Sequence, residues 1–282
     1  MGFGFTTKKE VKQIGFGFEI HAAEHCNLRC KGCNHFSPYA EKEFINLETL
    51  EKDLNKFSEL SGGEADYILV TGGEPLLNPE IEKIIKMIFE TVPKLRMMHF
   101  YTNGLLLPSM PDSFWETLRR YDDKIYVKIS LYPANKHLMD AWMGLVQKHE
   151  IHCEMNQRDY MFKLDLDPEG KQEPAGSFER CHIVFPVLYK GRFYKCPPVA
   201  RVGDLNRRVG GGYALAPHDS LDLYGMKDIR ELTDFIKGPA PFCGHCKFLD
   251  RMNGFTRLAG AGAYYRLEPW EALPAMQIPG NK

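Results

Sequence analysis

The sequence of 282 residues has no long apolar run, no signal-peptide core and no excess of one sign of charge. No segment approaches the roughly 20 apolar residues that a membrane-spanning helix needs. The N-terminal segment carries lysines and lacks the apolar stretch that follows the basic start of a signal peptide. These absences predict a cytoplasmic protein without a membrane partner.

The charge balance also excludes a class of partner. Lysine and arginine total 36, aspartate and glutamate total 37, and the formal net charge is −1. No basic run forms a stripe that could follow nucleic-acid phosphates, so we expect no nucleic-acid partner. The eight cysteines are expected to be metal ligands or reactive thiols, because a reducing compartment disfavours disulfides.

The first half of the chain alternates short β-branched or aromatic runs with amphipathic segments. The predicted strands are residues 16–20, 67–71, 97–102, 125–131 and 151–155. Two predicted helices start after the N-cap Asn46 and at Pro79, and two more span about residues 112–120 and 135–148. This alternation predicts a parallel sheet, either doubly wound or barrel-like. In both folds the loops after the strands form the active site.

Three cysteines follow the first predicted strand, at the spacing C-x3-C-x2-C. They are Cys26, Cys30 and Cys33. Three thiolates can bind three irons of a [4Fe–4S] cluster and leave the fourth iron for a ligand that is not protein. A zinc site is the alternative, because thiolates bind zinc as readily as iron.

The cysteine motif, followed by Gly72-Gly73-Glu74-Pro75 after the second strand, resembles the radical S-adenosylmethionine (SAM) enzymes. The resemblance implies an α/β fold with a partial (β/α) barrel, a [4Fe–4S] cluster and SAM bound at the open iron. The reduced cluster then cleaves SAM to a 5′-deoxyadenosyl radical, which abstracts hydrogen from a small-molecule substrate. An external one-electron reductant, such as flavodoxin or ferredoxin, is the implied partner.

The same resemblance assigns contacts to SAM. It implies that Gly72 and Gly73 bring the backbone close to the methionine end and that Glu74 holds the ammonium group. Asn103 and Ser130, in the loops after the third and fourth strands, are candidates for contacts to the ribose or the methionyl group.

One residue of the cysteine loop departs from the family pattern. The residue before the last cysteine is often aromatic and packs near the adenine, whereas here it is Gly32. His35, Phe36 and Tyr39 are the nearby candidates for that packing. Three further residues near the predicted rim, His25, Arg158 and Tyr160, are expected to pack or face solvent rather than act as acids or bases.

The pattern changes beyond about residue 160. Residues 165–176 predict a loop, residues 183–188 and 192–194 predict strands, and residues 229–236 predict a helix. Four cysteines fall in this half, Cys181, Cys196, Cys243 and Cys246, as C-x9-G-x4-C and C-x2-C. The arrangement resembles the Twitch domain, the shorter relative of the SPASM domain, and implies an auxiliary [4Fe–4S] cluster.

These resemblances predict a radical SAM partial barrel over residues 1–178 and a Twitch-like domain over residues 179–282. A structural zinc site is the alternative for the second cysteine set. His182 and His245 lie beside predicted ligands and are expected to surround the metal rather than bind it.

The eighth cysteine, Cys153, has two interpretations. The alternation of its predicted strand places it on one face with Ile151 and Met155. It is either a small apolar residue of the core or a thiol that returns a hydrogen atom to a substrate radical. The first favours oxidation through the auxiliary cluster, and the second favours epimerisation.

The substrate class is predicted from resemblance alone. The layout resembles the aminocyclitol dehydrogenases, and residues 34–38 and 131–133 resemble radical SAM proteins of glycan biosynthesis. These resemblances imply oxidation of an alcohol on a sugar, aminocyclitol or nucleotide-linked sugar. The alternatives are an epimerase, a peptide maturase and a zinc-binding module that is not an enzyme. A maturase is less expected, because about 15 residues before the first strand are too few for a peptide-recognition domain.

Overall fold

The computed structural model describes residues 17–30, 32–157, 160–162, 166–181, 185–210, 212–247, 255–257 and 264–269. The strands are β1 (Gly17–Ala23), β2 (Glu64–Gly72), β3 (Lys94–Thr102), β4 (Ile125–Leu131), β5 (Cys153–Gln157), β6 (Tyr160–Phe162), β7 (Val187–Tyr189), β8 (Arg192–Tyr194), β9 (Ser220–Asp222), β10 (Phe255–Arg257) and β11 (Tyr264–Pro269). The helices are α1 (Leu47–Ser61), α2 (Ile81–Thr91), α3 (Asp112–Arg120), α4 (Met139–His149), α5 (Pro174–Glu179), α6 (Pro197–Val209) and α7 (Arg230–Lys237).

Eight strands form one sheet in the order β5-β4-β3-β2-β1-β7-β8-β9. Strands β1 to β5 are parallel and each pairs with its neighbour in the chain, while β7 is parallel to β1 and is followed by antiparallel β8 and β9. Consecutive strand order with helical crossovers is the arrangement of a partial barrel, not of a doubly wound sheet. The predicted fold class is therefore confirmed.

Alternation along the strands gives the sheet two different faces. One face packs on the helices and forms the main core, in which the Phe18 and Phe57 ring centroids lie 4.8 Å apart. The opposite face carries Glu19, His21 and the polar residues of the neighbouring strands. We call this opposite face, over β1 to β5, the inner face.

Local sequence signals account for several element boundaries. Asn46 is the N-cap of α1, and its side chain accepts a hydrogen bond from Thr49 N at 2.8 Å, as predicted. The predicted limits of α3, β4 and β8 agree with the structure. The helix predicted from Asn135 begins as a 3-10 helix at Lys136–Leu138 before α4.

The second half joins the first through the sheet. Strand β7 pairs with β1, so β7 to β9 extend the same sheet as the barrel strands. A small antiparallel sheet, β10-β11-β6, is separate from it. The division into domains at residue 178 stays a prediction. Among the described residues, every helix is too short or too polar to cross a bilayer.

Candidate active site

The cysteine loop lies directly against the end of β2. Gly73 N donates a hydrogen bond to Ala23 O at 2.7 Å, and Glu74 N donates to His25 O at 3.1 Å. A Cβ on Gly73 would lie 2.0 Å from His25 O, and a Cβ on Gly72 would lie 2.2 Å from Ala23 O. Both glycines are therefore needed to let the cysteine loop approach β2. The sequence motif alone did not reveal this steric reason for glycine at the two positions.

Glu74 joins the loops after β2 and β3. Its side chain is fully buried and accepts hydrogen bonds from Thr102 Oγ1 at 2.6 Å, Asn103 N at 2.8 Å and Leu76 N at 3.1 Å. Burial raises the pKa of this carboxyl to about 7, although the three hydrogen bonds act to lower it. The predicted contact between Glu74 and the SAM ammonium group stays a prediction.

Asn103 connects the β3 loop to the cysteine loop. Its Nδ2 donates to Asn27 Oδ1 at 2.7 Å and lies 3.6 Å from Cys26 Sγ. Buried Asn135 then donates to Asn103 O at 2.6 Å and to Ser130 O at 2.9 Å. The structure thus brings the four predicted rim loops, after β1, β2, β3 and β4, into one hydrogen-bonded unit.

The thiols of the first set have unequal environments. Burial raises the pKa of Cys26, and the charge of Glu74 adds to the rise. Burial also acts to raise the pKa of Cys33, but the hydrogen bond and charge of His35 outweigh it and lower that pKa below its ordinary value. The Cys33 thiolate is therefore the more readily formed of the two at neutral pH.

The backbone explains the departure at Gly32. Its φ is 78°, a left-handed conformation that an aromatic residue rarely adopts. Of the candidates for replacing the aromatic, Phe36 is buried, His35 is hydrogen-bonded to Glu19 at 3.2 Å, and Tyr39 is half-buried. The predicted packing of one of these residues on adenine stays a prediction.

The second cysteine set comes together from three places in the chain. Cys181 follows α5, Cys196 is the N-cap of α6, and Cys243 and Cys246 lie in and just after a 3-10 helix, Pro241–His245. Burial raises the pKa of Cys196 well above its ordinary value, and the charges of the other three thiols raise it further. Such mutual repulsion requires that the thiols be near one another.

Among the described residues, which include all eight cysteines, the one group of three potential ligand atoms that lie within 4.8 Å of one another is Glu19, His21 and His35. The choice between an auxiliary [4Fe–4S] cluster and zinc at the second cysteine set stays a prediction.

The inner face carries polar and aromatic side chains that the sequence analysis missed. Lys128 Nζ lies 3.4 Å from Glu154 Oε2 and 5.1 Å from the centre of the Tyr101 ring. Tyr126 donates to the same carboxylate oxygen at 2.5 Å, and His99 packs edge-on to Tyr126 at 5.7 Å. The alternation of polar and apolar residues along β3 and β4 is the sequence pattern that could have predicted this surface.

Cys153 lies on the opposite face of the sheet. It pairs in register with Val127, and both pack on the core beneath the helices. Burial raises the pKa of its thiol to about 12. Since Lys128 and Glu154 face the other way, this position favours the interpretation of Cys153 as a small core residue.

The remaining residues of interest have simple environments. His25 packs edge-on to Phe44 at 5.0 Å, and burial lowers the pKa of its imidazole. His245 donates from Nδ1 to Asp167 O at 2.7 Å, beside the second cysteine set. Arg158 and His182 lie outside the described residues, and only the backbone of Tyr160 is described.

Part of the chain is similar to known proteins. Residues 20–140 match the sequence model of the radical SAM superfamily. The GTP 3′,8-cyclase of Clostridium acetobutylicum is 38% identical over 154 residues, 53% of this chain and 44% of that protein. The GTP 3′,8-cyclase of Aliarcobacter butzleri is 34% identical over 129 residues, 43% of this chain and 38% of that protein. The chain thus spans less than half the length of these relatives.

Two solved structures also resemble the chain. BtrN in complex with AdoMet and 2-DOIA is 15% identical, with a TM-score of 0.48 over 84% of this chain and 94% of that chain. The protein anSMEcpe with bound AdoMet is 18% identical, with a TM-score of 0.38 over 49% of this chain and 43% of that chain.

We expect Gly73→Ala to lower the free energy of unfolding by about 3 kcal/mol, because the new methyl group would overlap the backbone of the cysteine loop. Urea unfolding followed by circular dichroism measures the change. Gly144→Ala is the matched control, because a Cβ there meets nothing within 4 Å and alanine should stabilise helix α4 by up to about 1 kcal/mol. Equal stabilities of the two variants would contradict the steric argument.

The raised pKa of Glu74 predicts a pH dependence of stability. Because the pKa in the folded protein, about 7, lies above the ordinary 4.5, the contribution of Glu74 is present at acid pH and is lost as the pH rises through 7. Between about pH 5 and pH 8, the free energy of unfolding should fall by about 2.5 kcal/mol relative to Glu74→Gln. A difference that does not change with pH would show that the three donors keep Glu74 ionised.

Proposed function

We propose that the protein, whose residues 20–140 match the sequence model of the radical SAM superfamily, is a radical SAM oxidoreductase that abstracts hydrogen from a small carbohydrate-like substrate and oxidises an alcohol. One observation carries the proposal. The three-cysteine loop is joined to the Gly-Gly-Glu turn by backbone hydrogen bonds and to the β3 loop by Asn103. A radical SAM site requires the cluster ligands and the SAM-binding residues at one such edge.

In this proposal different residues of the rim loops bind the cluster and SAM. Cys26, Cys30 and Cys33 hold the cluster, and Gly72 and Gly73 bring the backbone close to the methionine end of SAM. Glu74 and Asn103 keep these loops at a fixed separation, and Ser130 lies across the rim. When bound there, the cluster and SAM would supply the 5′-deoxyadenosyl radical that abstracts hydrogen.

The second cysteine set supports oxidation. Four thiolates, Cys181, Cys196, Cys243 and Cys246, would fill every ligand position of an auxiliary [4Fe–4S] cluster, and a closed cluster is suited to electron transfer. The alternative outcome, epimerisation through Cys153, is not favoured, because that thiol packs on the core face.

The inner face supports a polyhydroxylated substrate. Tyr101 and Tyr126 offer ring surfaces that can pack on a sugar or cyclitol ring. Lys128 and Glu154, whose side chains are 18% and 40% exposed, offer a donor and an acceptor for its hydroxyl groups. A ring with hydroxyl or amino substituents meets both requirements.

We expect the anaerobically reconstituted and reduced protein to hold about eight irons per chain and to cleave SAM to methionine and 5′-deoxyadenosine. Replacing Cys26, Cys30 and Cys33 together by Ser should halve the iron and abolish cleavage. Iron and sulfide analysis with chromatography of the products measures both effects.

Cys153→Ala is the control, and it should retain both iron and cleavage. Zinc without sulfide in the wild-type protein, and no SAM cleavage, would contradict the proposal and favour a zinc-binding module.

Substrate recognition can be tested with the inner face. Aminocyclitols, amino sugars and nucleotide-linked sugars should raise 5′-deoxyadenosine formation above the substrate-free rate. Lys128→Met should raise the KM for the active compound by about tenfold or more, because a charged hydrogen bond is lost, without changing the substrate-free rate. Lys94→Met, at an exposed ion pair with Glu64, is the matched control. Stimulation by peptides instead of these compounds would favour peptide maturation.

A further inference from the structure

Two residues of β1 and one residue of the cysteine loop place three metal-ligating side chains together. Glu19 and His21 alternate on the inner face and are 4% and 2% exposed, and the His35 side chain is 16% exposed. Their ligand atoms all lie within 4.8 Å of one another. The two histidine rings pack edge-on, with centroids 4.8 Å apart.

Both histidines direct the same ring atom at the same carboxylate oxygen. Glu19 Oε2 lies 3.4 Å from His21 Nε2 and 3.2 Å from His35 Nε2. In a tetrahedral site with metal–ligand bonds of about 2.0 to 2.2 Å, neighbouring ligand atoms are about 3.3 to 3.6 Å apart. The two carboxylate–imidazole distances are therefore those of a metal site, and the ligand atoms of the two histidines lie within 4.8 Å of each other.

The second nitrogen of His21 has the partner that a metal-binding histidine usually has. His21 Nδ1 lies 3.2 Å from Glu24 Oε2, and Glu24 Oε1 is in turn 3.2 Å from a guanidinium nitrogen of Arg201. A carboxylate at Nδ1 fixes the tautomer that leaves the Nε2 lone pair available to a metal. The ring of His21 is thus oriented toward Glu19 and His35.

The charge of Glu19 gives an independent reason. This carboxylate is buried, and its hydrogen-bond and ion-pair partners in the described part of the chain are the two imidazoles, not a lysine or an arginine. A buried carboxylate is costly unless a cation is close to it. That cation is either a metal ion or a protonated imidazole.

We propose that Glu19, His21 and His35 bind one divalent transition-metal ion, of the class represented by zinc. When the metal displaces the protons on the Nε2 atoms, one carboxylate and two neutral imidazoles form a ligand set that this class prefers. Three protein ligands leave a fourth position for water or a substrate oxygen. His35 is also hydrogen-bonded to Cys33, so the site adjoins the first cysteine set, but it uses none of the cysteines as ligands and does not depend on the proposed function.

Zinc binding to the full chain tests the site. We compare wild type, Glu19→Gln and His35→Gln by equilibrium dialysis and metal analysis. Each variant should bind one equivalent of zinc fewer than wild type. Glu64→Gln, whose side chain is 67% exposed in a surface ion pair, should bind as much as wild type. Cysteines that bind zinc do so in all four proteins, so they cancel in the comparison.

Cobalt identifies the ligands that are lost. The difference spectrum between wild type and Glu19→Gln should contain d–d bands and lack thiolate-to-cobalt charge-transfer bands. Glu24→Gln should keep the same number of sites but weaken zinc affinity about 10- to 100-fold, since Glu24 orients His21 and is not itself a ligand.

Equal zinc content in all the proteins would overturn the proposal, and so would a difference spectrum with thiolate bands. Either result would mean that the three residues form a hydrogen-bonded group in which protonated imidazoles, rather than a metal ion, balance the carboxylate charge. Circular dichroism checks each variant for folding. If Glu19→Gln does not fold, the zinc content of His35→Gln, a change at the less buried ligand, decides between the outcomes.

Discussion

The buried carboxylate of Glu74 is the interaction on which the candidate site depends. It accepts hydrogen bonds from the 3-10 helix that follows β2 and from the end of β3, and Asn103, the residue it holds, reaches the cysteine loop. Removing one partner of such a buried group costs about 1–3 kcal/mol for each donor left unsatisfied. A change at Glu74 would therefore move the loop that carries the cysteines.

Strand β1 combines two requirements that rarely occur in one strand. Phe18 and Ile20 contribute to the apolar core, whereas Glu19 and His21, between and after them, are nearly as well buried among polar groups. Burial of these polar residues is tolerated because they have hydrogen-bond partners. The central strand of the sheet thus stabilises the fold with one face and organises a charged site with the other.

Much of the secondary structure in the first half of the chain could be predicted from the sequence, because hydrophobic periodicity and capping residues act over a few neighbouring positions. The limits of α3 and β4 and the N-cap Asn46 are examples. The steric reason for Gly73 could not be predicted, since it depends on a contact with a loop nearly 50 residues earlier in the chain. In the second half β8 was predicted but α6 was not, and the limits of β7 differ from the predicted ones because pairing with β1 positions that strand.

Arg201 links the two halves in a way that bears on both cysteine sets. It lies in α6, the helix that begins directly after Cys196, and it pairs with Glu24, two residues before Cys26. Asp204 of the same helix also contacts the Arg201 guanidinium, so this cation is shared by two buried carboxylates. Breaking a buried ion pair on one side typically costs about 3–5 kcal/mol, because the remaining charge has no compensation. Movement of α6, and of Cys196 at its start, relative to the first cysteine loop is thus opposed by an electrostatic cost.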